Sequence, residues 1–297
     1  MRLGTKRITL GDILIGAVFV LLCLFILYPI ICIISVSLTG KDEITYSGFH
    51  LFPRELDFSS YKYILKEGKM LAKAYGTTIL VSVAGTAVGV VVTSMYAYAV
   101  SRRDFKLKSL FSFLVMFTMF FNGGMSATYI IYVNVLKLKN SIWVLILPGT
   151  FTAMGMIIVR SYFQSLPHSM VESAMLDGAG EYTIFLKLMV PLAKPALATL
   201  ALTVFITKWN CYYEAMMYMD TGNWVTIQLL LQRMLSQVEF LKKYSSQVNL
   251  VGYDMKLVAS DSMNMAMCVL TVLPTLLVFP RFQKYFIKGM AIGSVKG

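Results

Sequence analysis

Five stretches of this chain run for 19 or more residues without a charged side chain, and that pattern leaves few folds open. Twenty-eight uncharged residues separate Asp12 from Lys41, 28 separate Lys73 from Arg102, and 28 separate Lys108 from Lys137. Another 20 lie between Lys139 and Arg160, and 19 between Asp261 and Arg281. A helix needs about 20 apolar residues to cross about 30 Å of hydrocarbon. These runs therefore predict spanning helices near 13–38, 74–100, 110–135, 141–160 and 262–282. A sixth is expected near 190–214, where Lys194 lies close enough to the start for its ammonium to reach the headgroups. Pro191 and Pro195 fall in the first turns of that segment, where a missing amide donor costs least. The expected fold is an all-α integral membrane protein, one transmembrane domain over 1–297 with six transmembrane helices.

Composition agrees. Apolar residues make up 57% of the chain and charged ones 14%, against about 25% charged in typical soluble domains. Mean hydropathy is +0.69, which excludes a soluble globule and equally excludes disorder. The four cysteines (Cys23, Cys32, Cys211, Cys268) are too few for a disulfide scaffold and are expected to be small buried residues. The first apolar run is too long for the core of a signal peptide. Tyr28–Pro29 within it predicts a kink and not an end. Gly85 and Gly89 form a small-xxx-small face suited to close helix packing.

Basic residues near short loops set orientation. Arg2, Lys6 and Arg7 in the N-terminal tail, Arg102, Arg103, Lys106 and Lys108, and Arg281, Lys284, Lys288 and Lys296 all fall on one side of a six-span chain. That side, shared with the segment from Arg160 to about Leu188, is expected to be the cytoplasm, so both termini are cytoplasmic. The other side receives a short loop near Lys137–Asn140 and two longer ones, roughly Gly40–Lys73 and Glu214–Asp261. The net charge of +12 thus reads as topology beside membrane lipid, and nucleic-acid binding is excluded for want of a basic stripe on a soluble module.

The stretch Ser165–Pro195, SLPHSMVESAMLDGAGEYTIFLKLMVPLAKP, interrupts the spans on the cytoplasmic side yet carries a helix signature. Ser169 and Glu172 have the spacing of a capping box, and Pro167 marks a chain break upstream. Met170, Ala174 and Met175 are expected on one face; Asp177–Gly178 is expected to stop the helix, and a second short helix to start near Glu181. An interfacial helix on an anionic bilayer would show Lys and Arg where this one shows Glu172, Asp177 and Glu181. A short capped helix with acidic and small apolar groups better suits a groove on another protein.

Here the sequence resembles a known family. Glu172-Ser173-Ala174, three residues, Gly178, nine residues, Leu188-Met189-Val190-Pro191 resembles the E-A-A-x3-G-x9-I-x-L-P loop of bacterial ABC-importer permeases, with Ser173, Leu188 and Val190 as departures. Ala97-Tyr98-Ala99-Val100-Ser101-Arg102 looks like the segment closing the second span in the sugar-importer branch. Phe121-Asn122-Gly123-Gly124, Leu147-Pro148-Gly149 and Trp209-Asn210 look like further segments of that branch. The whole chain is similar to the maltose-type second permease subunit of systems that take up oligosaccharides or polysaccharide fragments.

The resemblance implies a type I ABC importer permease of the bacterial cytoplasmic membrane, with its cytoplasmic coupling loop over 165–190. It implies a heterodimer with a second homologous permease subunit, two ATPase subunits that carry ATP and Mg, and an extracytoplasmic solute-binding protein. Glu172, Ala174, Asp177 and Gly178 would sit in or beside the ATPase contact: Glu172 capping and ion-pairing, Ala174 offering a small docking surface, Gly178 allowing the turn, and Pro191 closing the loop. The chain is not expected to be an enzyme. Its Gly40-Lys41 pair has Ser35 and Asp42 where a phosphate-binding G-x4-G-K-[ST] loop needs Gly and Ser or Thr.

Polar groups in or near spans are candidates for the sugar path. Asn122 would either line a cavity or bond a freed carbonyl near a helix break. Trp209, Tyr212 and Tyr213 would stack on sugar rings, with Asn210 and Glu214 bonding hydroxyls, or else form an interfacial aromatic belt. A membrane-embedded enzyme is disfavoured: His50 and His168 are far apart, which excludes HExxH zinc chemistry and leaves no expected metal site. A stand-alone secondary transporter or channel, or an importer permease for a non-sugar solute, remains the alternative; a free-standing carrier has no need of the Glu172–Pro191 loop.

Overall fold

The computed structural model describes residues 10–66, 68–220, 222–244 and 261–293. The expectations for Arg2, Lys6, Arg7, Lys296 and the 245–260 part of the last long loop lie outside these residues. The described residues are helical throughout, apart from turns and one isolated antiparallel bridge between Thr39 and Leu56. They cluster into two compact units. One comprises Met1–Gly68 with Arg233–Val272, and the other Lys69–Gln232 with Leu273–Gly297.

In the first unit, α1 (Leu10–Ser37) is a 28-residue apolar helix that continues through Pro29. Two short helices follow, α2 (Lys41–Ser47) and α3 (Ser59–Lys66), within what the sequence suggested was an open loop. Asp57 caps α3, accepting from the Ser59 N–H at 2.8 Å.

The second unit holds the core and every candidate site residue. Its longest helix, α4 (Gly68–Ser101), coincides with the expected second span. The expected third span is not continuous: α5 (Lys108–Phe120) and the segment Gly124–Val135 meet at 118°. That segment begins as α6 (Gly124–Ile130) and ends in a π turn over Ile131–Val135. Gly123 and Gly124 supply the break, Gly124 with φ +78°. The expected fourth span is broken too, into α7 (Trp143–Ile146) and α8 (Ala153–Ser165). Pro148 has no N–H to continue the helix, and Gly149 adopts φ +70°. Thr152 restarts the chain as N-cap of α8, accepting from the Gly155 N–H at 3.1 Å. An uncharged run predicts burial in lipid but not helical continuity, and both corrections stem from that.

Downstream, α9 (His168–Leu176) precedes a turn of helix over Glu181–Leu192, comprising α10 (Glu181–Thr183), a π segment (Ile184–Met189) and α11 (Val190–Leu192). It meets α12 (Lys194–Trp209) at 82°. Then come α13 (Tyr213–Tyr218), α14 (Ile227–Tyr244) and α15 (Asp261–Gly293); α14 and α15 each contribute residues to both units. Thr226 caps α14, accepting from the Leu229 N–H, and the Ile227 N–H donates to Thr78 Oγ1 of α4 at 2.8 Å. Among the described residues, three helices are long and apolar enough to cross a membrane, or up to five if each bent pair is one span.

Lys208 ties three pieces of this unit together, and sequence reading did not single it out. Its side chain is 2% exposed, and Nζ donates to the carbonyls of Leu145, at 2.8 Å, and Pro148. Those carbonyls are freed by the α7–α8 break, so the ammonium replaces the amides the helix lacks. The alkyl stem lies against Gly85, where a Cβ would stand 3.0 Å from Lys208 Cγ. One turn on, a Cβ at Gly89 would stand 2.7 Å from the Thr150 carbonyl oxygen. The Gly85/Gly89 face therefore admits the broken segment to close contact with α4. Of the cysteines, all free, only Cys211 is fully buried; Cys23 is exposed because α1 buries none of its apolar window within the chain.

Gly89→Ala is expected to cost about 1–3 kcal/mol through overpacking against a backbone oxygen that cannot give way. Gly76→Ala on the same helix, where a Cβ meets nothing within 4 Å, should leave thermal unfolding in detergent unchanged or raise its midpoint.

Candidate functional site

The segment linking α8 to α12 is anchored by apolar side chains at helical spacing. Val171 of α9 and Ile184, Phe185 and Met189 of the π segment are all buried. They join one core cluster with Ala97, Tyr98 and Val100 of α4 and Met156, Val159 and Phe163 of α8. Ala174 is half-buried against the same cluster, so the inward face of α9 is Val171–Ala174, while Met170 is exposed. Glu172, Ser173, Leu176 and Asp177 face outward, Leu176 being 89% exposed. Sequence reading placed Ala174 on the docking face; here its methyl serves the packing, and Leu176 is the apolar group left uncovered.

The two ends of α9 differ in how well the sequence foretold them. No capping box forms. Pro167 occupies the N-cap position with φ −59° and ψ 124°, the helix starts at His168, and no side chain caps it. Ser169 is consequently inside the first turn, and Glu172 instead faces His168 at 3.5 Å, one turn back. Proline set the boundary, because its fixed φ and extended ψ define the start before Ser169 can.

The other end is as expected. Asp177 is the C-cap and Gly178 follows with φ +79°. The Ala179 N–H donates to the Ala174 carbonyl at 2.9 Å and the Gly178 N–H to that of Met175 at 3.0 Å, the bond pair of a glycine-terminated helix. Ala179 packs beside Ala174 on the core cluster, supplying the apolar contact that accompanies this cap. Glu181 then starts the next helix. Pro191 is the second residue of α11, just after the π segment, where its missing N–H removes the α-type bond to Lys187 and favours a widened turn.

Polar bonds join this segment to the end of α4. Tyr98 Oη donates to Glu181 Oε2 at 2.6 Å, and Arg102 Nη2 donates to Glu181 Oε1 at 2.9 Å and to Asp104 Oδ2 at 3.1 Å. Arg102 Nη2 also lies 3.8 Å from Met175 Sδ, and the guanidinium sits 5.9 Å from the Tyr98 ring centroid. Burial opposes ionisation of Asp104, but a backbone hydrogen bond and the Arg102 guanidinium outweigh it and hold its carboxyl below the usual range. Tyr98, Ala99, Arg102, Asp104, Phe105 and Glu181 line an open cleft of about 380 Å³. Arg102 entered the sequence reading as a topology charge and as the last residue of the Ala97–Arg102 segment, and Glu181 as an acid at the start of a short helix. Their pairing spans 79 residues, and no local pattern carries it.

The second group of candidates lies around the ends of α12 and α5. Asn210 is exposed, accepting from Gln228 Nε2 at 3.0 Å and donating Nδ2 to the Ile206 carbonyl at 3.0 Å. Tyr212 and Tyr213 are exposed beside it, their rings edge to face. Glu214 Oε2 accepts from Cys211 Sγ at 3.3 Å. Trp209 is 3% exposed and stacks on Phe205, so its ring belongs to the packing of this chain. Asn122 is exposed and sits at the helix break, where its Oδ1 accepts the Gly124 N–H at 2.9 Å instead of the side chain bonding a freed carbonyl. Beyond α13, the Asn140 N–H donates to the Tyr218 carbonyl and the Asp220 N–H to Asn140 Oδ1, while Tyr218 stacks on Tyr129. Asp220 also hydrogen-bonds Lys139 at 2.7 Å, raising the pKa of that ammonium above its ordinary value.

The chain belongs to the family described as the inner membrane component of binding-protein-dependent transport systems, whose model matches residues 85–292. It is 36% identical over 289 residues to the polygalacturonan/rhamnogalacturonan transport system permease protein YtcP of Bacillus subtilis (strain 168), covering 97% of this chain and 99% of the relative. It is 27% identical over 282 residues to the arabinooligosaccharides transport system permease protein AraQ of the same organism, covering 94% of each. Among solved structures, a chain of a bacterial ABC transporter involved in the import of the acidic polysaccharide alginate matches with a TM-score of 0.79 at 30% identity. That match covers 95% of this chain and 100% of the other.

Gly178 has open space around its missing Cβ, so substitutions there disturb this chain's own fold through φ alone. Gly178→Asn should be tolerated best, and Gly178→Val should loosen the cap by roughly 1–2 kcal/mol or more. The measure is amide exchange over residues 168–183, which should quicken in that order.

Proposed function

We propose that this chain is a permease subunit of an ATP-driven importer for oligosaccharides or polysaccharide fragments. It crosses the membrane six times, with both termini and the 165–190 loop in the cytoplasm. The loop is the coupling element. It pairs with a second, homologous permease subunit, two ATPase subunits that bind ATP and Mg, and an extracytoplasmic solute-binding protein.

The observation that carries the reading is the combination of an anchored inner face and an uncovered outer one. Val171, Ala174, Ile184 and Phe185 fix the loop on the core, while Glu172, Leu176, Asp177 and the Gly178 turn face away from it. A partner gripping that face holds a body packed against α4 and α8. Closure of the ATPase pair then favours one arrangement of the helices because its contacts with the loop differ between its two states.

The broken helices support a polar route through the membrane, since non-helical backbone is tolerated there when protein buries it or water lines it. Asn210, Tyr212, Tyr213 and Glu214, and Asn122 at its own break, are the groups assigned to sugar hydroxyls and rings. Trp209, stacked inward on Phe205, supports them from behind.

Affinity purification of the tagged chain from its native membrane should recover a second permease of similar size and an ATPase. Recovery of this chain alone under several detergents would overturn the reading in favour of a stand-alone carrier. In the purified complex, Gly178→Asp should abolish transport while leaving membrane insertion intact; sugar-stimulated ATP hydrolysis surviving that substitution would count against the coupling role.

A further inference from the structure

The loop is covalently continuous with α8, through Leu166–Pro167, and with α12, through the bend at Ala193. It has no such continuity with α4, which ends at Ser101, 79 residues before Glu181 measured from Arg102. Any displacement of the loop therefore reaches α4 only through side-chain contacts. Most of these contacts are apolar, from Val171, Ile184, Phe185 and Met189, and apolar contacts are non-directional and permit sliding. The directional ones converge on a single carboxylate.

Both oxygens of Glu181 are engaged, Oε2 by Tyr98 Oη at 2.6 Å and Oε1 by Arg102 Nη2 at 2.9 Å. Tyr98 is itself held by Phe163 of α8, ring centroids 6.0 Å apart, and by Phe185, at 5.2 Å. Arg102 is 9% exposed, and its Nη1 is buried with no hydrogen-bond partner. Its position is therefore set through Nη2, which reaches Glu181 of the second loop helix, Asp104, and the Met175 sulfur of α9. One guanidinium touches both halves of the loop on either side of the Gly178 turn.

We propose that Arg102 and Tyr98 are positioning residues that lock the loop to α4 through Glu181, so that the loop, the end of α4 and the facing part of α8 move as one body during the transport cycle. Charge-assisted hydrogen bonds of this geometry fix orientation as well as distance, which the apolar packing alone does not. The proposal rests on the coupling role given to the loop above and adds the route by which its motion reaches a helix it is not chained to.

The test uses the full purified complex in lipid nanodiscs, with the four native cysteines replaced and spin labels on Arg103→Cys, just past α4, and Tyr182→Cys, on the loop. The inter-label distance should form one narrow distribution that is the same without nucleotide and after trapping with ATP and vanadate. Glu181→Gln should broaden it about two-fold and make it state-dependent, because loop and helix then shift separately. Glu181→Asp, which keeps the carboxylate, should stay closer to the narrow wild-type distribution than Glu181→Gln, an ordering that a loss of general stability would not produce. A Glu181→Gln distribution identical to wild type in both states would overturn the proposal, as would labels that separate on trapping in the unsubstituted complex. If Glu181→Gln fails to assemble, Tyr98→Phe, which removes one oxygen and keeps the ring, decides by the same criterion. Absence of any co-purifying ATPase would instead remove the coupling reading, and this lock with it.

Discussion

Backbone groups inside a membrane must be hydrogen-bonded by the protein, and this chain repeatedly interrupts its helices, so satisfying the freed groups organises much of the second unit. At the α7–α8 break the Leu145 and Pro148 carbonyls take the Lys208 ammonium, brought from 60 or more residues away. At the α5–α6 break Asn122 accepts the Gly124 N–H, and Thr152 accepts the Gly155 N–H where α8 restarts. Each device places a polar group where an uninterrupted helix would have needed none. Lys208 has the widest reach, because fitting its stem requires Gly85 on α4 and the adjoining turn requires Gly89.

The same logic explains why the loop can act as a lever. Its helix α9 is too short to be stable by itself, since isolated helices under about 12 residues are marginal in water. Packing on the core and the bond pair at Gly178 supply what length does not. The proline start, the glycine stop and the π segment before Pro191 give the loop a fixed shape with its apolar groups turned to α4 and α8. What remains outward is a small face with Leu176 uncovered and acids beside it, the face proposed above to meet the ATPase.

Much of this was legible in the sequence. Uncharged runs located α1, α4 and α15, and the spacing of Glu172, Gly178 and Pro191 located the loop and its turn. Glycine and proline there act through their own backbone restrictions, which hold in any context. What failed was of another kind. The capping box at Ser169 and Glu172 lost to Pro167, because two local rules competed and the stiffer residue won. Continuity of the fourth span was assumed from charge alone, although Pro148–Gly149 was visible; the third was drawn as one run although a break beside Gly123–Gly124 was already in view. Trp209 was open to two readings, sugar platform or interfacial belt, because composition does not say which way a ring faces; here it packs inward on Phe205.

The sequence by itself determined the solvent, the family and the location of the loop, because these depend on hydropathy and on residues whose backbone preferences are intrinsic. Tertiary structure alone decided the pairing of Arg102 and Tyr98 with Glu181, the burial of Lys208 at a helix break, and the side of α9 that is offered outward. Those facts depend on which distant segments meet. A charge carries no mark of its partner until the packing of apolar faces has fixed the distance between them.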